Sequence, residues 1–588
     1  MRHPAYVAAA RFDHLLGDPR DTGRLFSHAR CATLDEREEF PLELCRELDL
    51  LGLPSHYVPA AHGGALDNFE DLVQLVRALA RRDLTTAIAH GKTFLGAVSV
   101  WVGGDPRQAR ALGAEVTQGT AVSWALTEQQ HGSDLLAGDV LAEPRDDGYV
   151  LSGEKWLINN ATRGDLLCVL ARTSPEGGAR GFSVLLVDKR RLDPAQFRTL
   201  PAVRLHGIRG ADISGVAFSG AAVPSTALVG AQGDGLEIVV KSLQLTRTLC
   251  AGLSLGAADQ ALEMATAYAL TRHNHGRPLI ELPQSRRLLA QSYADLLTAE
   301  ALTLVSARAV HALPGELAIV SAATKYLVPT LVQQALGALS RLVGTRSLLL
   351  GDTFEHGRFQ KVLRDHGIVG IFDGSTVINL HTLVNHFPAI ARAHRRGFVD
   401  EPGLHGATTL GEALPALDPR RLELVPRRGS SLLQTLPAAV DELRTLGDAV
   451  PATLVERAAE LEAVVGDVVA GIGRHRPTPV AVPAASFTLA EDYARCFAAA
   501  AALHLWLRNR SAVDQQATHG LWESGLWLEA CLARLLRSLR TPRTARLVAD
   551  GGRDPDEVLD RLVEPLVAQH SAGHLPSLLA YPLPRTRA

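Results

Sequence analysis

Apolar residues recur at helical spacing from Pro41 to about Gly119, with Leu42, Leu44, Cys45, Leu48 and Leu51 on one face. Asp67, followed by Glu70 and Asp71, predicts a helix start before Leu72-Val73-Gln74-Leu75-Val76, and His62-Gly63-Gly64 reads as a loop between helices. From Ala121 the period changes. Tyr149-Val150-Leu151, Lys155-Trp156-Leu157-Ile158, Leu166 to Leu170 and Phe182 to Val187 are short strand-like runs separated by Gly, Asn, Asp and Pro, predicting a small β domain that ends near Gly235. Helical spacing returns from Leu236 to about Arg392, with the run Leu245 to Leu270 stopping at Asn274-His275-Gly276. Between Ala393 and Ser431 the chain is rich in Pro, Gly and Arg and reads as a linker. A further helical module follows, interrupted at Arg474-His475-Arg476-Pro477-Thr478-Pro479 and restarted by Thr488 with Glu491 in capping-box spacing. The expected domains are 1–119 helical, 120–235 β, 236–392 helical, 393–431 linker and 432–588 helical extension.

Composition narrows the class. With 46% hydrophobic and 21% charged residues among 588, the chain is globular, and a formal net charge of -3 without a basic stripe argues against a nucleic-acid partner. Cys31, Cys45, Cys168, Cys250, Cys496 and Cys531 are scattered, so neither a disulfide framework nor a metal site is expected. His570 and His574 have ligand spacing but no nearby carboxylate cluster. Arg11 breaks the short apolar run at the N-terminus, and the apolar stretch Cys496 to Leu507 contains His504 and is too short to span a bilayer. A cytoplasmic location without a transmembrane segment is the expectation.

The candidate chemistry lies in Leu363-Arg364-Asp365-His366-Gly367-Ile368-Val369-Gly370-Ile371-Phe372-Asp373-Gly374-Ser375-Thr376. Ile368, Ile371 and Phe372 give Asp373 apolar neighbours, and a carboxylate that loses water in such surroundings becomes a stronger base. Gly374 permits close backbone approach to a ligand. Asp-Gly-Ser is also ordinary turn or helix-capping chemistry.

Ala125-Leu126-Thr127-Glu128-Gln129-Gln130-His131-Gly132-Ser133-Asp134, followed by Gly153-Glu154-Lys155-Trp156-Leu157-Ile158-Asn159-Asn160, resembles the paired middle-domain signatures of the acyl-CoA dehydrogenase family. His62-Gly63-Gly64 falls at that family's Gly-Gly loop, and Leu205 to Gly210 with Val223-Pro224 and Gly233-Asp234-Gly235 resembles the strands closing its β domain. Arg247 opens a helix similar to the family's, Arg272-His273-Asn274-His275-Gly276 resembles Arg-x-x-Phe-Gly, and Lys325 and Arg364-Asp365 precede a segment similar to Ile-Tyr-Glu-Gly-Thr. The resemblance covers about Phe40 to Phe387. It implies a mainly α fold with a central β domain: an N-terminal helical domain, a β-barrel-like middle domain and a C-terminal four-helix bundle, here with an extra C-terminal helical domain. The extension looks closest to the very-long-chain branch and its extended bacterial relatives.

The resemblance also implies FAD and α,β-dehydrogenation of an acyl thioester, on CoA or a carrier protein, with electrons passing to an external acceptor such as an electron-transfer flavoprotein. Asp373 maps onto the family's catalytic glutamate, one methylene shorter. Some relatives place the base next to the earlier arginine, where this chain has Thr246. Trp124, Leu126, Thr127, Gly132 and Ser133 map onto flavin-lining positions, as does Ser375, while Ser133, Arg247 and Gly374 map onto substrate contacts. Leu157 and Asn159 stand where the family usually carries Trp and Thr or Ser; Trp156 is one residue early and on a regular strand faces the other way. Arg272 resembles the arginine that reaches FAD pyrophosphate across a subunit interface, although a solvated cation at a helix end explains it as well. His275 replaces the usual Phe, and Arg341 stands where Gln is frequent. Arg364-Asp365 reads as a structural helix ion pair. A homo-oligomer is implied, with a dimer favoured by the extension. The alternatives are an oxidase or other flavin-dependent oxidation on the same fold, and a degenerate relative acting as an assembly or binding partner.

Overall fold

The computed structural model describes residues 3–478, 481–540 and 556–584. Helices α1 (Pro4–Leu16), α2 (His28–Arg37), α3 (Leu42–Leu50), α4 (Phe69–Arg82), α5 (Leu84–Gly103) and α6 (Pro106–Thr117) form the N-terminal part. The start of α4 falls one residue later than the spacing suggests. Asn68 is the N-cap and accepts from the Glu70 N–H at 2.9 Å, leaving Glu70 and Asp71 in the first turn.

Strands β1 (Val122–Ala125), β2 (Leu141–Arg145), β3 (Gly148–Asn159), β4 (Leu166–Arg172), β5 (Phe182–Asp188), β6 (Phe197–Leu200), β7 (Ile213–Pro224) and β8 (Leu228–Val229) make one sheet, in the order β6-β7-β3-β2-β4-β5-β8, with β1 parallel to β4. The two runs around Tyr149 and Trp156 are a single long strand paired with β7 over its length. Leu205 to Gly210 corrects the expectation of a closing strand: it is a loop. Asp365 Oδ1 accepts from the Ile208 N–H at 2.6 Å and Arg364 donates to the His206 carbonyl at 2.8 Å, so side chains of the bundle satisfy backbone groups that a sheet would otherwise pair.

Long helices α7 (Gly235–Thr271), α8 (Pro283–Ala312) and α9 (Leu317–Val343) pack with α11 (Thr376–Arg396), reached through α10 (Arg358–His366). Asn274-His275-Gly276 is not a helix cap. α7 ends at Thr271, and His275 and Gly276, both at positive φ, form the two-residue turn of a small hairpin, β9 (His273–Asn274) with β10 (Arg277–Pro278). α4 crosses α7 closely: a Cβ on Gly252 would lie 2.6 Å from the Val73 carbonyl, and one on Gly256 2.5 Å from that of Arg77. Arg77, buried in this crossing, pairs with Asp259 of α7 at 2.7 Å and with Glu300 of α8.

Residues read as a linker include α12 (Glu401–Thr408), fastened to α8 by Arg308, which donates to the carbonyls of Gly406, Thr409 and Glu412. The extension comprises α13 (Ser431–Gln434), α14 (Leu436–Arg444), α15 (Ala452–Arg474), α16 (Ala484–Asn509) and α17 (Leu526–Ser538), with short helices Asp556–Asp560 and Val563–Ala572. Pro479, part of the expected interruption, lies outside the described residues. Thr488 is inside α16 rather than at its start, because Pro483 caps the helix and the Ala-rich turn after it already propagates. The extension packs along α8 and is tied to the bundle by Arg534 with Asp295, Tyr293 with Gln569, and Ser577 and the Leu578 N–H with Glu300. Among the described residues no helix is long and apolar enough to cross a membrane, and no cluster of metal-ligating side chains occurs.

Candidate active site

Between α10 and α11 the chain makes successive turns that end with Asp373 at φ +55° and Gly374 at φ +96°. A non-glycine residue in this left-handed region needs tertiary support. Lys325 of α9 provides it by donating to the carbonyls of Val369 at 2.8 Å and Gly374 at 3.2 Å, while Arg247 of α7 donates from Nε to the Asp373 carbonyl at 3.1 Å. Asn379 Nδ2 adds a 2.7 Å bond to the Gly374 carbonyl. A Cβ on Gly374 would stand 3.1 Å from Arg247 Nη2 and 3.3 Å from Asn379 Nδ2, so a larger residue would disturb both supports. Ser375 caps α11, accepting from the Ile378 N–H at 3.3 Å.

The Asp373 carboxylate is 8% exposed, and of the apolar neighbours the sequence suggests Ile368 and Phe372 are partly buried against the core while Ile371 is not. Ile371 is 60% exposed, and the polar partners are Lys92 of α5, with Nζ 3.3 Å from Oδ2 and 3.5 Å from Oδ1, and Cys250 of α7, whose thiol donates to Oδ2 at 3.2 Å. Lys92 Nζ also lies 3.7 Å from the centroid of the Phe372 ring, with Lys325 Nζ 5.6 Å away on that ring. Burial lowers the Arg247 pKa to about 10, against the opposing pull of Asp373, and pulls the Lys325 ammonium down from its ordinary range. Burial, reinforced by the Asp373 charge, pushes the Cys250 thiol up and keeps it protonated. His386 falls to about 4 through burial and the nearby Arg247, and His366 to about 3 through burial and Lys325, so both histidines next to this cluster are neutral.

Arg364 and Asp365 are structural but do not pair with each other. Arg364 reaches Asp35 of α2 at 2.5 Å, and Asp365 takes Lys361 at 2.5 Å, because consecutive helix positions point in different directions. Thr246, the alternative base position, is buried and carries no acid.

The second group of residues lies on the sheet edge after β1. Thr127 Oγ1 donates to the Trp156 carbonyl at 2.8 Å and the Trp156 N–H returns a bond to Thr127 at 3.0 Å, so the loop carrying Leu126 and Thr127 is zipped to β3 beside Leu157. Lys155 secures the same loop through the Leu126 carbonyl at 2.9 Å and Glu128 at 2.7 Å. Leu157 sits at φ +58° where the pairing of β3 with β7 shifts register, and it is 46% exposed. This bulge breaks the two-residue alternation, so the parity argument about Trp156 does not hold there. Asn159 Oδ1 is buried without a partner among the described residues, and a Cβ on Gly132 would meet nothing within 4 Å. Trp124 donates to Ser99 Oγ at 3.1 Å, Asn160 donates to the Ala89 carbonyl at 2.8 Å, and Ser133 is exposed. Ala89, Lys92 and Ser99 are all on α5, which therefore touches both the sheet edge and the Asp373 turn.

Arg272, His275 and Arg341 are exposed and are not brought to this place. Arg272 ends the helix that carries Arg247, roughly 37 Å along its axis. Lys92 and Cys250 belong to this site without any motif that marks them. One signal was available for Lys92: it is the single Lys, Arg, Asp or Glu in the apolar run from Leu84 to Gly103.

Residues 20–120, 123–221 and 233–386 match the N-terminal, middle and C-terminal domains of acyl-CoA dehydrogenases. A cyclohex-1-ene-1-carbonyl-CoA dehydrogenase of Geobacter metallireducens is 32% identical over 290 residues, 48% of this chain and 74% of that protein. The short/branched chain specific acyl-CoA dehydrogenase of Rattus norvegicus is 27% identical over 61% of this chain and 81% of its own. The acyl-CoA dehydrogenase of Bacillus anthracis, solved with FAD, shares the fold over 96% of this chain and 95% of its own, at TM-score 0.68 and 18% identity. Butyryl-CoA dehydrogenase of Megasphaera elsdenii superimposes on 64% of this chain and 95% of its own, at TM-score 0.57 and 22% identity. The chain belongs to the acyl-CoA dehydrogenase family, whose members are flavin oxidoreductases. The extension is part of the fold shared with the Bacillus anthracis protein.

Proposed function

We propose that this chain is an FAD-dependent acyl-thioester dehydrogenase in which Asp373 removes the α-proton. The observation that carries this is a buried carboxylate fixed on a left-handed turn by Arg247 and Lys325, in a chain of this family. The sheet edge suits a flavin: Asn159 Oδ1 lacks a partner among the described residues, Gly132 leaves open space, and Leu157 is exposed at the bulge. Trp124, Leu126, Thr127, Gly132, Ser133, Leu157 and Asn159 would hold it, with Ser375 nearer the Asp373 turn. When bound, FAD supplies a two-electron acceptor for the hydride leaving the β-carbon.

Asp373 accepts the α-proton at a carboxylate oxygen as the Cα–H bond breaks and the α,β double bond forms. Its backbone N–H polarises the thioester oxygen, since an unaided carboxylate is too weak a base for this proton. Lys325 and Arg247 hold the turn's carbonyls, so the carboxylate meets the substrate without reorganising. Electrons leave to an external acceptor, for which we propose an electron-transfer flavoprotein.

The test is anaerobic flavin bleaching against a panel of acyl-CoA and acyl-carrier-protein thioesters. Bleaching by a thioester is the expected result, and absence of bleaching across the panel by flavin-loaded protein removes the assignment.

Arg272 bears on assembly. Arg272 lies roughly 37 Å from Arg247 along α7, and we propose that it meets the flavin of another copy, with the exposed His275 and Arg341 available to the dinucleotide end. We therefore propose a homodimer completed across the interface. Sedimentation of the full chain is expected to give a dimer; a monomer that holds stoichiometric flavin would contradict this arrangement.

A further inference from the structure

Three cations converge on one carboxylate in this site. Lys92, Arg247 and Lys325 are all buried, and Asp373 is the carboxylate that faces them. Arg247 and Lys325 have backbone carbonyls as partners and so serve the turn. Lys92 differs. Its polar partner is the Asp373 carboxylate, at 3.3 to 3.5 Å, longer than the usual charge-assisted bond, and its other neighbour is the Phe372 ring.

The proposed reaction makes this arrangement costly. Asp373 becomes neutral once it holds the α-proton, leaving Lys92 buried with no anionic partner. The neutral carboxyl can still accept a bond from the ammonium, but the buried positive charge needs a replacement counter-charge there. The thioester oxygen is taken by the Asp373 N–H in the assignment above, so the replacement comes from elsewhere on the substrate. Cys250 cannot supply it, because its thiol stays protonated, and His386 is neutral.

We infer that Lys92 is a substrate-recognition residue and that the acyl group carries a carboxylate, so that the substrate is a dicarboxylic acid monothioester. This rests on the dehydrogenase assignment and specifies its substrate class. The carboxylate would sit against Lys92 and the Phe372 ring edge of the site, and the proton taken by Asp373 would then leave the buried charge no more unbalanced than before binding.

The test measures binding of succinyl-, glutaryl- and adipoyl-CoA against butyryl-, pentanoyl- and hexanoyl-CoA to the flavin-loaded full chain by calorimetry, with flavin bleaching recorded in parallel. At least one carboxylated thioester is expected to bind about 10- to 100-fold more tightly than its uncharged counterpart, the range for a hydrogen bond to a charged group. Lys92→Met should abolish that preference while keeping flavin and fold, and Lys92→Arg should restore much of it. Equal binding of the two series, tighter binding of the uncharged one, or a preference that survives Lys92→Met overturns the inference. A Lys92→Met defect equal for both series also overturns it, by assigning Lys92 to Asp373 alone. A Lys92-dependent preference without bleaching would instead overturn the dehydrogenase assignment and leave carboxylate recognition standing. Failure of both series to bind overturns the inference and leaves the dehydrogenase assignment to the bleaching panel.

Discussion

Asp373→Asn is expected to fold, retain flavin and slow flavin reduction by an active thioester by about 10²- to 10⁴-fold or more, the range for loss of a positioned general base. Asn has the same size and keeps the backbone donor, and the supports from Lys325 and Arg247 run to main-chain carbonyls that the substitution leaves in place. Substrate binding and polarisation of the thioester therefore survive while proton abstraction does not, and the loss falls on the rate of reduction rather than on affinity. Asp373→Glu separates an adapted site from a degenerate one. The carboxylate already lies within reach of Lys92 and Cys250, so one more methylene crowds it against them. Loss of activity with the best thioester is expected; a gain would indicate a site that has drifted from the family's glutamate without readjusting. Stopped-flow absorbance under anaerobic conditions measures both variants, and near-wild-type reduction by the Asn variant would remove Asp373 as the base.

Arg272→Ala and Arg364→Ala should fail in opposite ways. Arg272 is exposed at the end of α7, so its removal should leave the fold unchanged but take away the cationic fork proposed to hold a partner's dinucleotide, and flavin is expected to be lost on dilution or gel filtration. Arg364 is a half-buried strut between α10, the buried Asp35 and the His206 carbonyl. Its removal strands the buried Asp35 carboxylate and costs about 3–5 kcal/mol, seen as a lowered denaturation midpoint with flavin still bound to the folded fraction. Equal flavin loss in both variants, at equal stability, would count against the assignment of Arg272.

The site was readable along the chain only where chemistry is local. Asp373 and Gly374 stand in a short motif whose turn is written in their own backbone preferences, and the Thr127 and Ser133 loop lies within one strand-loop-strand unit. Arg364 and Asp365 were recognisable as structural, but their actual partners, Asp35 and Lys361, were not, since adjacency in sequence is not adjacency on a helix. The polar surroundings of Asp373 are hidden for the same reason: Ile371 and Phe372 are its chain neighbours, whereas its electrostatic neighbours arrive from α5, α7 and α9.

Hydrophobic period and motif order by themselves determined the helix-sheet-helix order, the added helical extension, the family and the identity of the candidate base. These are properties of neighbouring residues, set by backbone sterics and by which face each segment must bury. Tertiary structure alone decided what surrounds that base and where Trp156 and Leu157 stand once a bulge breaks their alternation. It also brought Lys92 from 281 residues away to the carboxylate. Such contacts depend on how separate elements cross, and Coulomb interactions act through the space between them, which no run of consecutive residues records.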